Sequence, residues 1–344
     1  MSQIMLRTGR VLGDYMRPYF VAELNTSHFG DIDLAKEMIR KAAAVGCDCV
    51  KFQSWSPESL YSKDFQKENR VATRIIKKFA LSGEDLKGLS DFARSAGVDF
   101  SSTPYSFQEA QFLATECGAP FIKIASMELD NLPYLRDVAS LGVPLVLSTG
   151  MGTLEEIRIA VATLLESGAS SIVLLHCTSI YPAEPRDIRL NNILGLRTEF
   201  PEIPIGYSDH SVGSEVACAS VALGACLVEK HFTLDSSKIG MDNQMATEPE
   251  EMGHLISSCN NVYQSLGGAG RILSTAEYEQ RSKMRRSMVA AKDLNAGDAL
   301  TADLVKFARP GDGISPASAP SFFGKRLRSN ISIGSLITPE QIET

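Results

Sequence analysis

A (β/α)8 barrel followed by a small β-rich domain is the fold that the sequence predicts, on three observations. Apolar, β-branched runs alternate with amphipathic helical patterns eight times in succession. The alternation fills roughly 250 residues, the usual extent of such a barrel. It stops at the glycine-rich stretch Leu266-Gly267-Gly268-Ala269-Gly270. Polar residues gather at the carboxyl ends of the runs, the face on which this architecture builds its sites. A doubly wound sheet is the rival arrangement, but no G-x-G-x-x-G opens a helix here.

The runs expected as strands are Tyr19 to Leu24, Cys47 to Gln53, Val98 to Ser102, Phe121 to Ala125, Pro144 to Ser148, Ser171 to His176, Ile203 to Tyr207 and Cys226 to His231. Between them, Asp31 can cap a helix that buries Leu34, Met38, Ile39 and Ala42 and ends at Gly46. Ser82 can cap another carrying Leu86, Leu89, Phe92 and Ala93, and Thr153 with Glu156 forms a capping box before Ile157, Ala160, Val161 and Leu164. Met252, Leu255, Ile256 and Val262 mark the last helix. Residues 1–268 are therefore assigned to the barrel, 269–284 to a linker and 285–344 to the second domain. That domain opens with Ser287-Met288-Val289-Ala290-Ala291, contains a weak internal echo between Asp293–Thr301 and Asn330–Thr338, and ends in a Thr338/Gln341 capping box with Pro339 at the first helical position. So small a unit is marginal and should lean on something else.

The totals narrow the function. With 44% hydrophobic and 22% charged residues this is an ordinary globular composition, and the net charge of -7 argues against nucleic acid or anionic membrane as partners. No apolar stretch approaches a membrane span. The seven Cys are odd in number and follow no signal peptide, so reduced, buried thiols in a cytoplasmic protein are expected.

The strand ends carry Glu23, Lys51 and Gln53, Ser102 and Thr103, Lys123 and Ser126, Ser148 and Thr149, Thr178 and Ser179, Ser208 and His210, and Glu229 and His231. Taken singly, each has a plain reading as a solvated charge, a turn residue or a satisfied core group. Arriving together on one face, they predict a site. Side chains along a strand alternate faces, so Glu229 and His231 point the same way, and His210 on the neighbouring strand could share one metal ion with His231. Lys51 and Lys123 lie among core residues, so their ammonium groups need anions such as a phosphate or carboxylate ligand. Ser148-Thr149-Gly150-Met151-Gly152 can expose backbone N–H groups to the same ligand. Arg309 sits beside a rigid turn, either exposed or reaching a site.

Val21-Ala22-Glu23, Val50-Lys51-Phe52-Gln53, Ser102-Thr103-Pro104, Ile122-Lys123-Ile124-Ala125-Ser126, Leu147-Ser148-Thr149-Gly150-Met151, Leu175-His176-Cys177-Thr178-Ser179, Gly206-Tyr207-Ser208-Asp209-His210 and Glu229-Lys230-His231-Phe232-Thr233-Leu234 together resemble the sialic acid synthase family. Arg285-Arg286-Ser287 and Arg309-Pro310-Gly311-Asp312-Gly313-Ile314 are similar to the antifreeze-like (SAF) domain that ends such chains. The resemblance implies a metal-dependent condensation of phosphoenolpyruvate with an open-chain N-acylated hexose, releasing phosphate and forming a nine-carbon 2-keto sugar acid. N-acetylmannosamine is the default acceptor, with pseudaminic-type or legionaminic-type diacetamido sugars as alternatives. It implies Mn2+, with Mg2+ or Co2+ as options, on His210 and His231. Lys51, Lys123, Ser126, Ser148 and Ser208 would bind phosphoenolpyruvate; Gln53, Tyr181 and Asp242 would contact the sugar. Thr103, Glu128 and Ser179 are grouped with these as substrate-binding candidates. Arg309 would close a partner's site in a domain-swapped homodimer. Glu23 and Glu229 are the candidates for proton transfer, with acid and base unassigned. The chain departs from the family's usual motifs at Asn25 to Phe29 and at Met241 to Asn243, both expected near the sugar. A metal-dependent keto-acid aldolase is the rival enzyme. An ice-binding module is the non-catalytic rival, and Lys325, Arg326 and Arg328 speak against its flat, uncharged face.

Overall fold

A computed structural model describes residues 2–343 of the chain. Eight parallel strands form one sheet in the order β3-β2-β1-β8-β7-β6-β5-β4, with β1 Tyr19–Glu23, β2 Cys49–Ser54, β3 Asp99–Pro104, β4 Ile122–Ile124, β5 Leu145–Ser148, β6 Ile172–Cys177, β7 Ile205–Asp209 and β8 Leu227–His231. The first and last strands pair directly, Leu227 to His231 against Tyr19 to Glu23, so the sheet curls into the expected nearly closed barrel. At the seam between β3 and β4, Ser101 Oγ donates to the Phe121 carbonyl at 3.0 Å. All eight expected runs are strands, with ends shifted by up to two residues.

Two apolar layers hold the barrel. Inside lie Tyr19 and Val21, Cys49, Phe121, Val146, Val173 and Leu175, and Leu227, joined by Leu6 and Leu12 of an amino-terminal hairpin. That hairpin, Gln3–Met5 with Val11–Gly13, closes the amino end of the barrel: Asp14 accepts from the Ile205 backbone N–H at the start of β7 at 3.0 Å. Outside, the alternate residues of the strands pack against the helices, among them α1 Ile32–Ala44, α2 Gly83–Ser95, α5 Leu154–Glu166 and α8 Pro249–Leu266, with α3 Phe107–Thr115, α4 Leu132–Ala139, α6 Asn192–Glu199 and α7 Glu215–Ala222 between. Asp31 caps α1 and the Ser82 and Thr153 boxes cap α2 and α5, as the pattern predicts. With the amino end filled by apolar side chains, inward-facing polar groups are left at the carboxyl end.

The chain divides into two compact units after Gly267. Of the segment 269–284, expected as a linker, Thr275–Met284 is a helix, α9, capped by Ser274 and bonded through the Ser282 carbonyl to Gly311 N–H. The second unit has a core of Met288, Ala290, Leu294, Leu300, Ile314, Leu327, Ile331 and Ile337 around the hairpin β9 Ser287–Ala290 and β10 Val305–Ala308. Its two echoing segments bond to each other, Leu294 and Ile331 each donating to the other's carbonyl at 2.9 Å. Thr338 and Gln341 form their box on a single 3-10 turn, Pro339–Gln341.

Candidate active site

The inward side chains at the strand carboxyl ends line one cavity of about 390 Å³. Strand alternation brings Glu23, Lys51, Gln53, Thr103, Lys123, Ser148, Ser208, His210, Glu229 and His231 to its floor and walls. Ser126, Ser179, Tyr181 and Asp242 reach it from the loops that follow. A larger, mostly apolar cavity of about 610 Å³ adjoins it and shares Met151, Cys177 and Ser179; its one charged lining residue is Asp187, so the chemistry belongs to the smaller cavity.

The floor is an interleaved set of charges. Lys51, 2% exposed, contacts the Glu23 carboxylate, donates to Thr103 Oγ1 at 3.0 Å and lies 3.8 Å from Glu229. Lys123 donates to Ser148 Oγ at 2.6 Å and lies 4.0 Å from Glu229. Ser208 Oγ donates to Glu229 Oε1 at 2.9 Å. Burial alone would push the Glu229 carboxyl up, but Lys123 and Lys51 pull harder and hold it well below the ordinary carboxylate range. Burial lowers the Lys51 ammonium to about 7, aided by Lys123 and opposed by Glu229. The direct contact with Glu23 also works to keep that ammonium charged.

Opposite the lysines stand two imidazoles, with ring centroids 5.6 Å apart at 61°. Burial lowers the proton affinity of both, so each ring is neutral near pH 7. Nδ1 of His210 lies 2.7 Å from the Thr178 carbonyl, which fixes it as the donor and leaves the lone pair on Nε2, 3.4 Å from a Ser208 hydroxyl whose proton goes to Glu229. No hydrogen bond holds either nitrogen of His231 among the described residues, so the pair fits a shared divalent cation. No cluster of three or more His, Cys, Asp or Glu suited to a metal is present among the described residues, so further coordination positions would fall to substrate or solvent.

Above the floor, Tyr181 stacks on His210 with centroids 4.3 Å apart. Gln53 donates to Glu23 at 3.1 Å and accepts from the Tyr105 hydroxyl at 2.8 Å. Asn25 donates to Asp242 at 2.5 Å. Ser126 Oγ accepts the Gly150 N–H at 3.1 Å, in a turn with no room for a side chain: a Cβ on Gly150 would lie 2.8 Å from both Ser126 Oγ and Cys177 Sγ.

Glu128 departs from expectation. The 3-10 turn Ser126–Glu128 carries it off the cavity wall, and its carboxylate accepts from Asn131 Nδ2 at 2.7 Å instead. Arg309 belongs to the second unit, exposed just after β10. His176 is structural, its Nε2 lying 2.7 Å from the Ile188 carbonyl, and His254 is exposed on α8. Asn25 and Met241 line the cavity from the two loops expected near the sugar, while Trp55, Tyr105, Met127, Met151 and Cys177 line it without having been singled out as site residues. Three of them had a signal: Asn25, Trp55 and Tyr105 lie two residues past Glu23, Gln53 and Thr103, one more step of the same alternation. Asn25 Oδ1 and Trp55 Nε1, both buried, have no hydrogen-bond partner among the described residues.

The NeuB family profile matches residues 38–271, which contain all of these side chains except Glu23 and Asn25. The chain belongs to the NeuB family. A SAF domain profile matches residues 285–343. Among relatives of this NeuB chain, it is 38% identical over 344 residues, 96% of either chain, to the N,N'-diacetyllegionaminic acid synthase of Legionella pneumophila. It is 31% identical over 352 residues to the N-acetylneuraminate-9-phosphate synthase of Homo sapiens, covering 99% of this chain and 95% of that one. The crystal structure of N-acetylneuraminic acid synthetase from Leptospira borgpetersenii, in complex with citrate, superposes with a TM-score of 0.75 at 30% identity, over 81% of this chain and 95% of that one.

Proposed function

We propose that this NeuB-family barrel condenses phosphoenolpyruvate with an open-chain N-acylated amino sugar, forming a nonulosonic acid and releasing phosphate. The observation that carries the reading is the pair of buried ammonium groups, Lys51 and Lys123, laid beside two neutral imidazoles at the mouth of one barrel. The lysines, with Ser126, Ser148 and Ser208, suit the phosphate and carboxylate of phosphoenolpyruvate. Carbon 3 of the enol phosphate attacks the aldehyde carbon, and the new alkoxide takes a proton. Water then adds at carbon 2, and the tetrahedral centre expels phosphate with cleavage of its C–O bond. Glu229, held anionic by the lysines, is suited to accept the proton of that water, which leaves Glu23 as the donor to the alkoxide. Bringing a polyanion beside both carboxylates raises their proton affinity, which favours protonation of one of them on binding.

His210 and His231 would hold the divalent cation, Mn2+ first and Mg2+ or Co2+ as options, and its chemistry when bound is Lewis-acid polarisation of the aldehyde. Gln53, Tyr181 and Asp242 suit the sugar, with the unpartnered Asn25 Oδ1 and Trp55 Nε1 available to its hydroxyl and acylamino groups. The acceptor favoured is unphosphorylated and carries two acylamino groups. Met127, Met151 and Met241, 54%, 71% and 46% exposed, line the cavity, which suits methyl groups, and among the described residues of the barrel no Arg and no Lys beyond the two lysines lines it. The 38% identity to a diacetyllegionaminic acid synthase supports the same choice over N-acetylmannosamine. The working unit is a homodimer in the cytoplasm, with Arg309 closing a partner's site.

The test is phosphate release from phosphoenolpyruvate with a panel of acceptors: diacetamido sugars, N-acetylmannosamine and its 6-phosphate, each with and without Mn2+. His210→Ala and His231→Ala should each abolish metal-dependent release in a folded protein, and unchanged turnover in either refutes the ligand assignment. A keto-acid aldolase would cleave its substrate and release no phosphate.

A further inference from the structure

We propose that the buried ion pair Lys230–Asp209, on the outer face of the barrel wall, is a positioning brace that holds His210 and His231 at the spacing a shared cation needs. The inference rests on the two-histidine reading above. Strands β7 and β8 pair as Val228 with Tyr207, Glu229 with Ser208 and Lys230 with Asp209, and the ladder ends there. Both imidazoles project one residue beyond this last rung, where no backbone pairing ties one strand to the other. His231 is still registered against Glu23 of β1, on its other side. His210 has no strand partner at this level on the β8 side; what holds it is the β6–α6 loop, through its ring contact to the Thr178 carbonyl, the stacked Tyr181 and the Ala183 N–H that donates to its carbonyl at 2.9 Å.

What replaces the missing rung is on the opposite face. Lys230 Nζ donates to Asp209 Oδ2 at 2.7 Å and to the Ser211 carbonyl at 2.8 Å, so it grips the residues on both sides of His210. Asp209 Oδ1 in turn accepts from Ser211 N–H at 2.9 Å, Ser211 Oγ at 2.6 Å and the Tyr207 hydroxyl at 3.1 Å. The chain therefore turns around His210 as a closed loop of hydrogen bonds tied to the residue that precedes His231. The two side chains are 3% and 0% exposed. A buried pair of this kind gives little net stability over a neutral replacement, so its physical return is geometric. Residues behind metal ligands typically govern metal affinity ten- to a hundredfold.

Lys230→Met alone leaves Asp209 buried and unpaired and is expected to unfold the site. The informative variant is the neutral double Asp209→Asn/Lys230→Met, which keeps an acceptor for Ser211 and Tyr207 while releasing the cross-strand tie. Mn2+ binding is read from the electron paramagnetic resonance signal of the free ion, phosphoenolpyruvate binding without metal by calorimetry, and folding by the thermal midpoint. The expected result is a folded protein whose Mn2+ Kd is weakened about tenfold or more while its metal-free phosphoenolpyruvate Kd is unchanged, because Lys51 and Lys123 stand on other strands and Ser208 is held by its own backbone rung with Glu229. Unchanged Mn2+ affinity in the folded double variant overturns the brace alone. Parallel loss of phosphoenolpyruvate affinity also overturns it, by showing general loosening. A wild-type protein that binds no Mn2+ removes the two-histidine site, and the brace with it.

Discussion

Lys51 is where the electrostatics of the cavity are most finely balanced. Its ammonium is lowered to about 7 chiefly by burial, so it sheds its proton as pH rises through that value. Only the charged form attracts an anion, and a bound phosphate pulls the proton back, so binding should take up a proton above neutrality. Phosphoenolpyruvate affinity should therefore weaken toward about tenfold per pH unit above the break. Calorimetry in buffers of different ionisation heat measures the proton uptake directly. Glu23→Gln removes the contact that favours the charged ammonium, so the break should move to lower pH; a break that stays in place would separate Glu23 from the control of Lys51. Glu229 is not interchangeable with Glu23 here, because it lies near both lysines and also accepts from Ser208.

Two neighbouring features of one βα unit, the turn after β5 and the start of α5, separate stability from function. Thr153 caps α5 through Glu156 N–H at 3.3 Å, and Thr153→Ala should cost about 1 kcal/mol of stability with no change in substrate KM. Gly150, three residues earlier, has no space for a methyl group between Ser126 and Cys177. Gly150→Ala should displace the Ser126 turn at a cost of about 1–3 kcal/mol and raise the phosphoenolpyruvate KM about tenfold or more, read by steady-state phosphate release. Equal KM effects from both substitutions would mean that the turn has no private role. The same contrast explains what the sequence revealed. Caps at Asp31, Ser82 and Thr153 and the alternation of eight strands are local patterns, and they survive folding with small shifts. Lys51, Lys123, His210 and His231 were legible because a barrel sends alternate strand residues to one mouth. Glu128, a candidate that the alternation did not support, lies on a 3-10 turn past β4 that carries it off the cavity wall. The side chains of Met127 and Met151 were hidden because loop residues follow no period, and Met151 adopts φ 63°, a conformation no spacing rule anticipates. The amino-terminal hairpin escaped notice for the opposite reason: its three-residue strands are too short to show a period at all.

At the scale of the molecule, a net charge of -7 surrounds a site that must gather an anion, so the attraction has to come from buried cations rather than from the field of the protein. Within the barrel those cations are Lys51 and Lys123, already partnered by Glu23 and Glu229, so the bound substrate would gain from one more positive group. Arg309 is the proposed supplier, and a swapped homodimer would deliver it from the other chain. Subunit mixing tests this without any need to see the assembly. An Arg309→Ala chain keeps a sound barrel, and a His231→Ala chain keeps a sound second unit. If the site is shared across chains, random reassortment of the two inactive proteins makes about half the dimers mixed, each with one complete site, and restores about a quarter of the wild-type rate. If each barrel uses its own Arg309, neither chain can repair the other, and the mixture stays as inactive as its components at every ratio.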